Sequence, residues 1–181
     1  RSFLVAIGRY MSRLPGRHLE RQLLKIVTSW RESRVVLRHT MPLEAITPID
    51  GRYRKTVEPL SAYFSEQSLI RYRVIVEGEY FIALSEHKSI RLRAFTPAEK
   101  KLVRSLYHIT LEDAHAVKEF EAITNHDVKA VEYFMKDKLK GTSLKNELEW
   151  IHFALTSEDT NNLAYALILS ESVQQVLIPA L

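Results

Sequence analysis

A mostly α-helical fold follows from three features of this 181-residue chain. Apolar residues recur at spacings of three and four, Ser or Thr stands at helix-start positions before them, and no run alternates apolar with polar as a half-buried strand would. From Met41 to about Pro59 a loop is expected, because Pro42, Pro48, Gly51 and Pro59 break any continuous helix. Ser65 can cap a helix reaching about His87, with Leu69, Tyr72, Val76, Tyr80 and Leu84 as one buried stripe. Arg71, Arg73, Glu77 and Glu86 fall off that stripe and are expected in solvent.

Thr96-Pro97-Ala98-Glu99 is a capping box with its favoured proline, opening a helix that turns Leu102, Val103, Leu106 and Ile109 inward. Thr110-Leu111-Glu112-Asp113 either continues that helix or starts another toward Ile123. A further helix follows Asn125-His126-Asp127, buries Val128, Val131, Met135 and Leu139, and stops near Gly141. A short helix is expected from roughly Leu144 to Phe153. The last begins at Thr156 or Ser157, with Glu158 and Asp159 in the first turn, where the helix dipole favours acids. It runs through Leu163, Ala166, Leu167 and Leu169, and its apolar pattern, unbroken to Leu181, leads us to expect that the parent chain continues.

Composition excludes several functions. With no cysteine, the chain has neither disulfides nor thiolate chemistry. Charged residues interrupt every apolar stretch, so none is expected to reach the ~20 residues of a membrane span. The net charge of +4 invites a nucleic-acid reading, but its distribution opposes one. Residues 1–40 carry nine basic and two acidic groups, or +7, and the remaining 141 carry 17 and 20, or −3. The basicity belongs to a leader that precedes a start-like Met41. Upstream translation or a gene-model artefact, an organelle-targeting peptide, and a basic arm for phosphate or membrane all fit those forty residues. Leu23, Leu24, Ile26 and Val27 would form a helical stripe under any of the three.

Three polar clusters stand out. Asp50-Gly51-Arg52-Tyr53 sets a planar multidentate cation after a tight turn, suited to phosphate or carboxylate, although a surface arginine after a turn looks the same. Thr124-Asn125-His126-Asp127-Val128-Lys129 is denser than helix capping requires. His126 there can donate to an anion while Asp127 fixes its tautomer or a neighbour's. Thr156-Ser157-Glu158-Asp159-Thr160-Asn161-Asn162 joins hydroxyls to a helix N-terminus, which is either an anion site or an ordinary cap. Asn161 and Asn162 are poor helix formers, so their amides are expected to serve contacts. There is no Gly-rich phosphate loop and no His-Glu-x-x-His, and His87, His108, His115 and His152 read as surface or satisfied core histidines.

Taken in order, Pro48-Ile49-Asp50-Gly51-Arg52-Tyr53, Phe64-Ser65-Glu66, Thr124 through Tyr133, Ile151-His152-Phe153, Thr156 through Asp159 and Asn161-Asn162 resemble the bacterial-type adenylosuccinate lyases, members of the fumarase and aspartase superfamily. The resemblance covers 41–181 and leaves out 1–40. It implies an N-terminal helical lyase domain over 41–155, followed from 156 to 181 by the first long helix of the central helix-bundle domain. It also implies fumarate release from adenylosuccinate and from the succinyl-carboxamide ribotide, in a cytoplasmic homotetramer acting on small nucleotides, with no metal or organic cofactor, no nucleic acid and no membrane.

By resemblance, Arg52 and Tyr53 contact the nucleotide near its phosphate, Asn125, His126 and Asp127 line the substrate pocket, and Thr156 and Ser157 bind substrate where the long helix begins. His126 would assist the acid. The family's acid (a Thr-His-x-Gln histidine) and base (the serine of Ser-Ser-x-Met-Pro-x-Lys) occur in neither form here, so the 181 residues alone are expected to be inactive. The competing expectations are another lyase of the superfamily and a non-catalytic helical nucleotide-binding or interaction module.

Overall fold

The computed structural model describes residues 47–181. The leader 1–40, its stripe and Met41 lie outside the described residues. The chain divides into two compact units, with the boundary after Glu58. The described part of the first is a turn over 47–53 leading into α1 (Arg54–Val57). The expected loop therefore ends in a single helical turn.

The second unit is built on α3. A short α2 (Ser61–Phe64) precedes it, and α3 itself spans Glu66–Glu86, capped as expected by the Ser65 hydroxyl, which accepts from the Ser68 N–H at 3.2 Å. The expected single stripe is a correction: α3 is buried on two faces. Ile70, Val74, Phe81 and Ile82 enter the main core, while Tyr72 and Val76 pack with Ala164 and Ile168 in a second cluster. Arg73 and Glu77, expected in solvent, are 3% and 0% exposed. A helix apolar all round is covered all round, and charges on it go inside with it. Arg71 lies over the Tyr72 ring at 4.2 Å, and Glu86 is exposed.

The next starts are as local as the sequence suggests. In α4 (Pro97–Ser105) the Thr96 hydroxyl accepts from the Glu99 N–H, and the Glu99 carboxylate accepts from the Thr96 N–H. Arg93 also pairs with Glu99 at 2.8 Å, holding this carboxyl far below its ordinary range. Thr110 starts a separate helix, α5 (Leu111–Thr124), with its own capping box to Asp113. Helix α6 (Asp127–Leu139) packs on α5 and buries Val128, Val131, Met135 and Leu139.

The expected helix from Leu144 to Phe153 is absent. A 3-10 turn, Leu148–Trp150, stands in its place, and His152 and Ala154 adopt left-handed backbone at φ 62° and 59°. Such residues cost about 1–3 kcal/mol each and persist where contacts hold them. Here the Tyr80 hydroxyl donates to the Phe153 carbonyl at 2.9 Å, and Glu77 grips the His152 ring. Among the described residues there is no strand.

Helix α7 (Ser157–Ser172) packs along α3 and continues through a π-helical turn, Val173–Leu177, to a last helical turn at Ile178–Ala180. The Tyr72 hydroxyl donates to Glu171 across the α3–α7 contact, and burial with this carboxylate pushes the phenol up to about 12. Leu163, Tyr165, Leu169 and Ile178 are exposed. By length and hydropathy the run Ser157–Ala180 does reach the threshold for a membrane span, which corrects the expectation that none would. Its polar Thr160 and Ser172 are nevertheless fully buried within the unit.

At Gly78 the Tyr107 ring approaches α3 closely: a Cβ there would lie 2.6 Å from Cε1 of Tyr107, whose hydroxyl is tied to Glu79. Gly78→Ala should lose about 1–2 kcal/mol in urea unfolding, because overpacking against the ring exceeds the roughly 1 kcal/mol gained in helix propensity. A more stable variant would show that the ring yields freely.

Candidate functional site

Two helix N-termini meet over α3. At the first, α5 ends on Asn125, whose φ of 50° reverses the chain, and His126 is the N-cap of α6. Asparagine tolerates this left-handed position better than most residues. The His126 Nδ1 accepts from the Lys129 N–H at 3.2 Å, so in the neutral ring the proton sits on Nε2. Nε2 lies 3.2 Å from the Ser157 hydroxyl, the first residue of α7. This bond joins two of the polar clusters singled out in the sequence.

Of the two alternatives expected for Asp127, fixing the tautomer of His126 or of a neighbour, the first is not met, since its Oδ1 stands 3.6 Å from the His126 Nδ1, too far for a hydrogen bond. The Lys129 amide fixes that tautomer instead. Asp127 has other partners: Oδ1 accepts from the Val128 N–H at 2.8 Å, and Oδ2 takes Arg73. Burial pushes its carboxyl up, but the Val128 amide and the Arg73 cation outweigh this and hold it below its ordinary value.

At the second N-terminus, Thr156 is committed to capping. Its hydroxyl accepts from the Asp159 N–H and donates to Oδ2, while its N–H donates to the same oxygen at 2.7 Å. Those bonds hold the Asp159 carboxyl low. With the ring proton on Nε2, the Ser157 hydroxyl oxygen accepts from His126, and its own O–H remains a donor. The unpaired N–H groups of the first turn face the same way as any helix start, toward negative charge. Asn161 meets the expectation of an amide used for contact, accepting from Arg73 Nε at 2.9 Å, whereas Asn162 is exposed.

Arg52 and Tyr53 belong to the first unit. Thr47 donates through its N–H and its hydroxyl to Asp50, closing the turn. Both Arg52 and Tyr53 are exposed, with the guanidinium 5.5 Å from the ring centre.

The sequence reading missed a buried layer beneath the two N-termini. Glu77 accepts from the Thr160 hydroxyl at 2.7 Å and pairs with His152 Nδ1 at 2.6 Å, which raises the histidine above its ordinary value chiefly through this hydrogen bond. His152 is thus a satisfied core histidine, as expected. The missed signal was Arg73 and Glu77, four apart, with Ile70, Val74, Val76 and Phe81 around them: charges on an otherwise apolar helix are buried in pairs or not at all. Among the described residues no group of three or more His, Asp or Glu is arranged to hold a metal ion.

Residues 51–181 match a family model described as lyase. The chain is 49% identical to the adenylosuccinate lyase of Dictyostelium discoideum over 144 residues, covering 77% of this chain and 31% of that protein. It is 45% identical to that of Legionella pneumophila strain Corby over 142 residues, with the same shares. To that of Escherichia coli K12 it is 43% identical over 140 residues, covering 76% and 31%. The chain thus spans about a third of the length of these curated relatives.

Proposed function

This chain belongs to the lyase family, and from that premise we propose that its residues form part of an adenylosuccinate lyase. The reaction is a β-elimination. A base takes a proton from the succinyl carbon beside a carboxylate, the carbon–nitrogen bond breaks, an acid protonates the departing nitrogen, and AMP and fumarate leave. The succinyl-carboxamide ribotide would react in the same way. Extra negative charge grows on the succinyl carboxylate, so fixed donors aimed at it lower the barrier.

The observation that carries this reading is the His126–Ser157 hydrogen bond at 3.2 Å, which brings two strings 31 residues apart to one point between two helix N-termini. This point offers the Ser157 hydroxyl, oriented by the His126 Nε2–H that it accepts, and first-turn amides, donors of the kind a dianionic succinyl group requires. We assign substrate binding in the second unit to Asn125, His126, Asp127, Thr156 and Ser157, with Asp127 and Thr156 holding the frame; for Arg52 and Tyr53 of the first unit the assignment rests on the sequence resemblance by itself. The names of the relatives support the substrate, and the same proposal carries a role in AMP and IMP biosynthesis by a cytoplasmic homotetramer that needs no cofactor and acts on nucleotides rather than on nucleic acid or membrane.

Fumarate release by the protein containing these residues tests it, measured with adenylosuccinate, argininosuccinate and malate in parallel. Turnover of adenylosuccinate alone is expected. Faster release from either of the others would move the assignment to another lyase of the superfamily.

A further inference from the structure

Arg73 is 3% exposed and lies in the middle of α3, outside the set of substrate-binding residues assigned above. Its Nη2 donates to Asp127 Oδ2 at 2.5 Å, and its Nε donates to Asn161 Oδ1 at 2.9 Å. One acceptor is the residue after His126; the other is one helical turn beyond Ser157. A single edge of one planar group therefore grips both elements that carry the donor pair. We propose that Arg73 is a positioning residue, setting the distance between His126 and Ser157 by clamping the start of α6 to the first turns of α7. This inference rests on the function proposed above and deepens it.

The chemistry of the side chain argues for geometry over stability. Removing a guanidinium from water costs free energy that one carboxylate and one amide recover only in part, so a buried pair of this kind is weak evidence for stabilisation. A well-packed apolar residue would hold three helices together at least as well. Arginine supplies donors fixed relative to one another in a rigid fork. Lysine could satisfy Asp127, but its single ammonium on a flexible stem would not define where Asn161 lies. Both partners are also committed: Asp127 spends its other oxygen on the Val128 amide, and Asn161 lies on the half-buried face of α7 toward α3.

The test uses the protein containing these residues, with Arg73→Lys, Arg73→Met, Asn161→Ala, His126→Ala and the double variant Arg73→Lys/His126→Ala. Fumarate release from adenylosuccinate should fall about 10- to 100-fold in kcat/KM for Arg73→Lys, the loss expected when reacting groups are displaced by about 1 Å. In the His126→Ala background the same change should cost less than about twofold, because the group being positioned is already gone. A residue with a merely structural role would lower kcat/KM by the same factor in both backgrounds, and that result would overturn the proposal. So would full activity in Arg73→Lys.

Asn161→Ala releases only the α7 side and should repeat the loss even if Arg73→Met does not fold. Nitrogen NMR of the His126 ring supplies a readout that needs no turnover: the Nε2 signal should shift in Arg73→Lys and Asn161→Ala, and an unchanged signal counts against the clamp. If the wild type releases no fumarate from adenylosuccinate, the functional reading fails while the ring signals still decide the role of Arg73.

Discussion

Replacing Glu77 by alanine is expected to destabilise the protein by about 3–5 kcal/mol, the cost of breaking a buried ion pair from one side. Glu77 is fully buried and reaches two segments far along the chain, the His152 ring and the Thr160 hydroxyl. Its loss leaves the His152 Nδ1 and the Thr160 hydroxyl without their carboxylate partner and releases the turn whose left-handed residues it helps to hold. Urea unfolding measures the change, and a loss below about 1 kcal/mol would show that the turn is held by packing alone.

The pair also makes stability depend on pH, with a definite sign. Glu77 raises His152 above its ordinary 6.5, so the native state holds this proton more tightly than the unfolded chain. The contribution is complete below about pH 6.5 and is lost as the pH rises through the native value of His152. Glu77→Gln keeps an acceptor for Thr160 but removes the charge. Its stability should therefore change less than that of the wild type as the pH rises from about 6.5 through the native value of His152. An identical slope would mean that another group governs this window.

The second large effect concerns His126, which does two jobs through two nitrogens. Nδ1 caps α6, and Nε2 faces Ser157. His126→Ala loses both and should cost about 1 kcal/mol of stability through the missing cap. His126→Asn keeps a good capping side chain but is too short to present a donor at Ser157. Both variants should lose about 100-fold or more in kcat/KM for fumarate release, the range for a positioned proton donor, while only the alanine variant melts earlier. Fumarate assays and thermal unfolding on the same preparations separate the two jobs. Near-normal turnover in His126→Asn would reduce His126 to a cap.

Helix starts were legible in the sequence because they are local. Thr96 with Glu99 and Thr110 with Asp113 bond within one turn, as Thr156 and Asp159 do at the acid-rich start of the last helix, so three or four residues suffice to place each boundary. The clusters around His126 and Ser157 were likewise visible as unusual composition at such starts. What failed was the environment of α3. A 3.6-residue period picks out one buried face, and Arg73 and Glu77 fell outside it. Their burial exists because α7, about 90 residues later, lies along the other side through Ala164 and Ile168. The helix expected before Phe153 failed for a related reason, since positive φ at His152 and Ala154 depends on contacts from Tyr80 and Glu77 rather than on local preference.

The sequence by itself determined the helical class, the starts of the helices capped at Ser65, Thr96 and Thr156, and the family, since hydrogen bonds within one turn and ordered residue strings are written along the chain. The tertiary structure alone decided which charges are buried and that His126 meets Ser157. Those outcomes depend on packing between residues distant in sequence, to which no local pattern is sensitive.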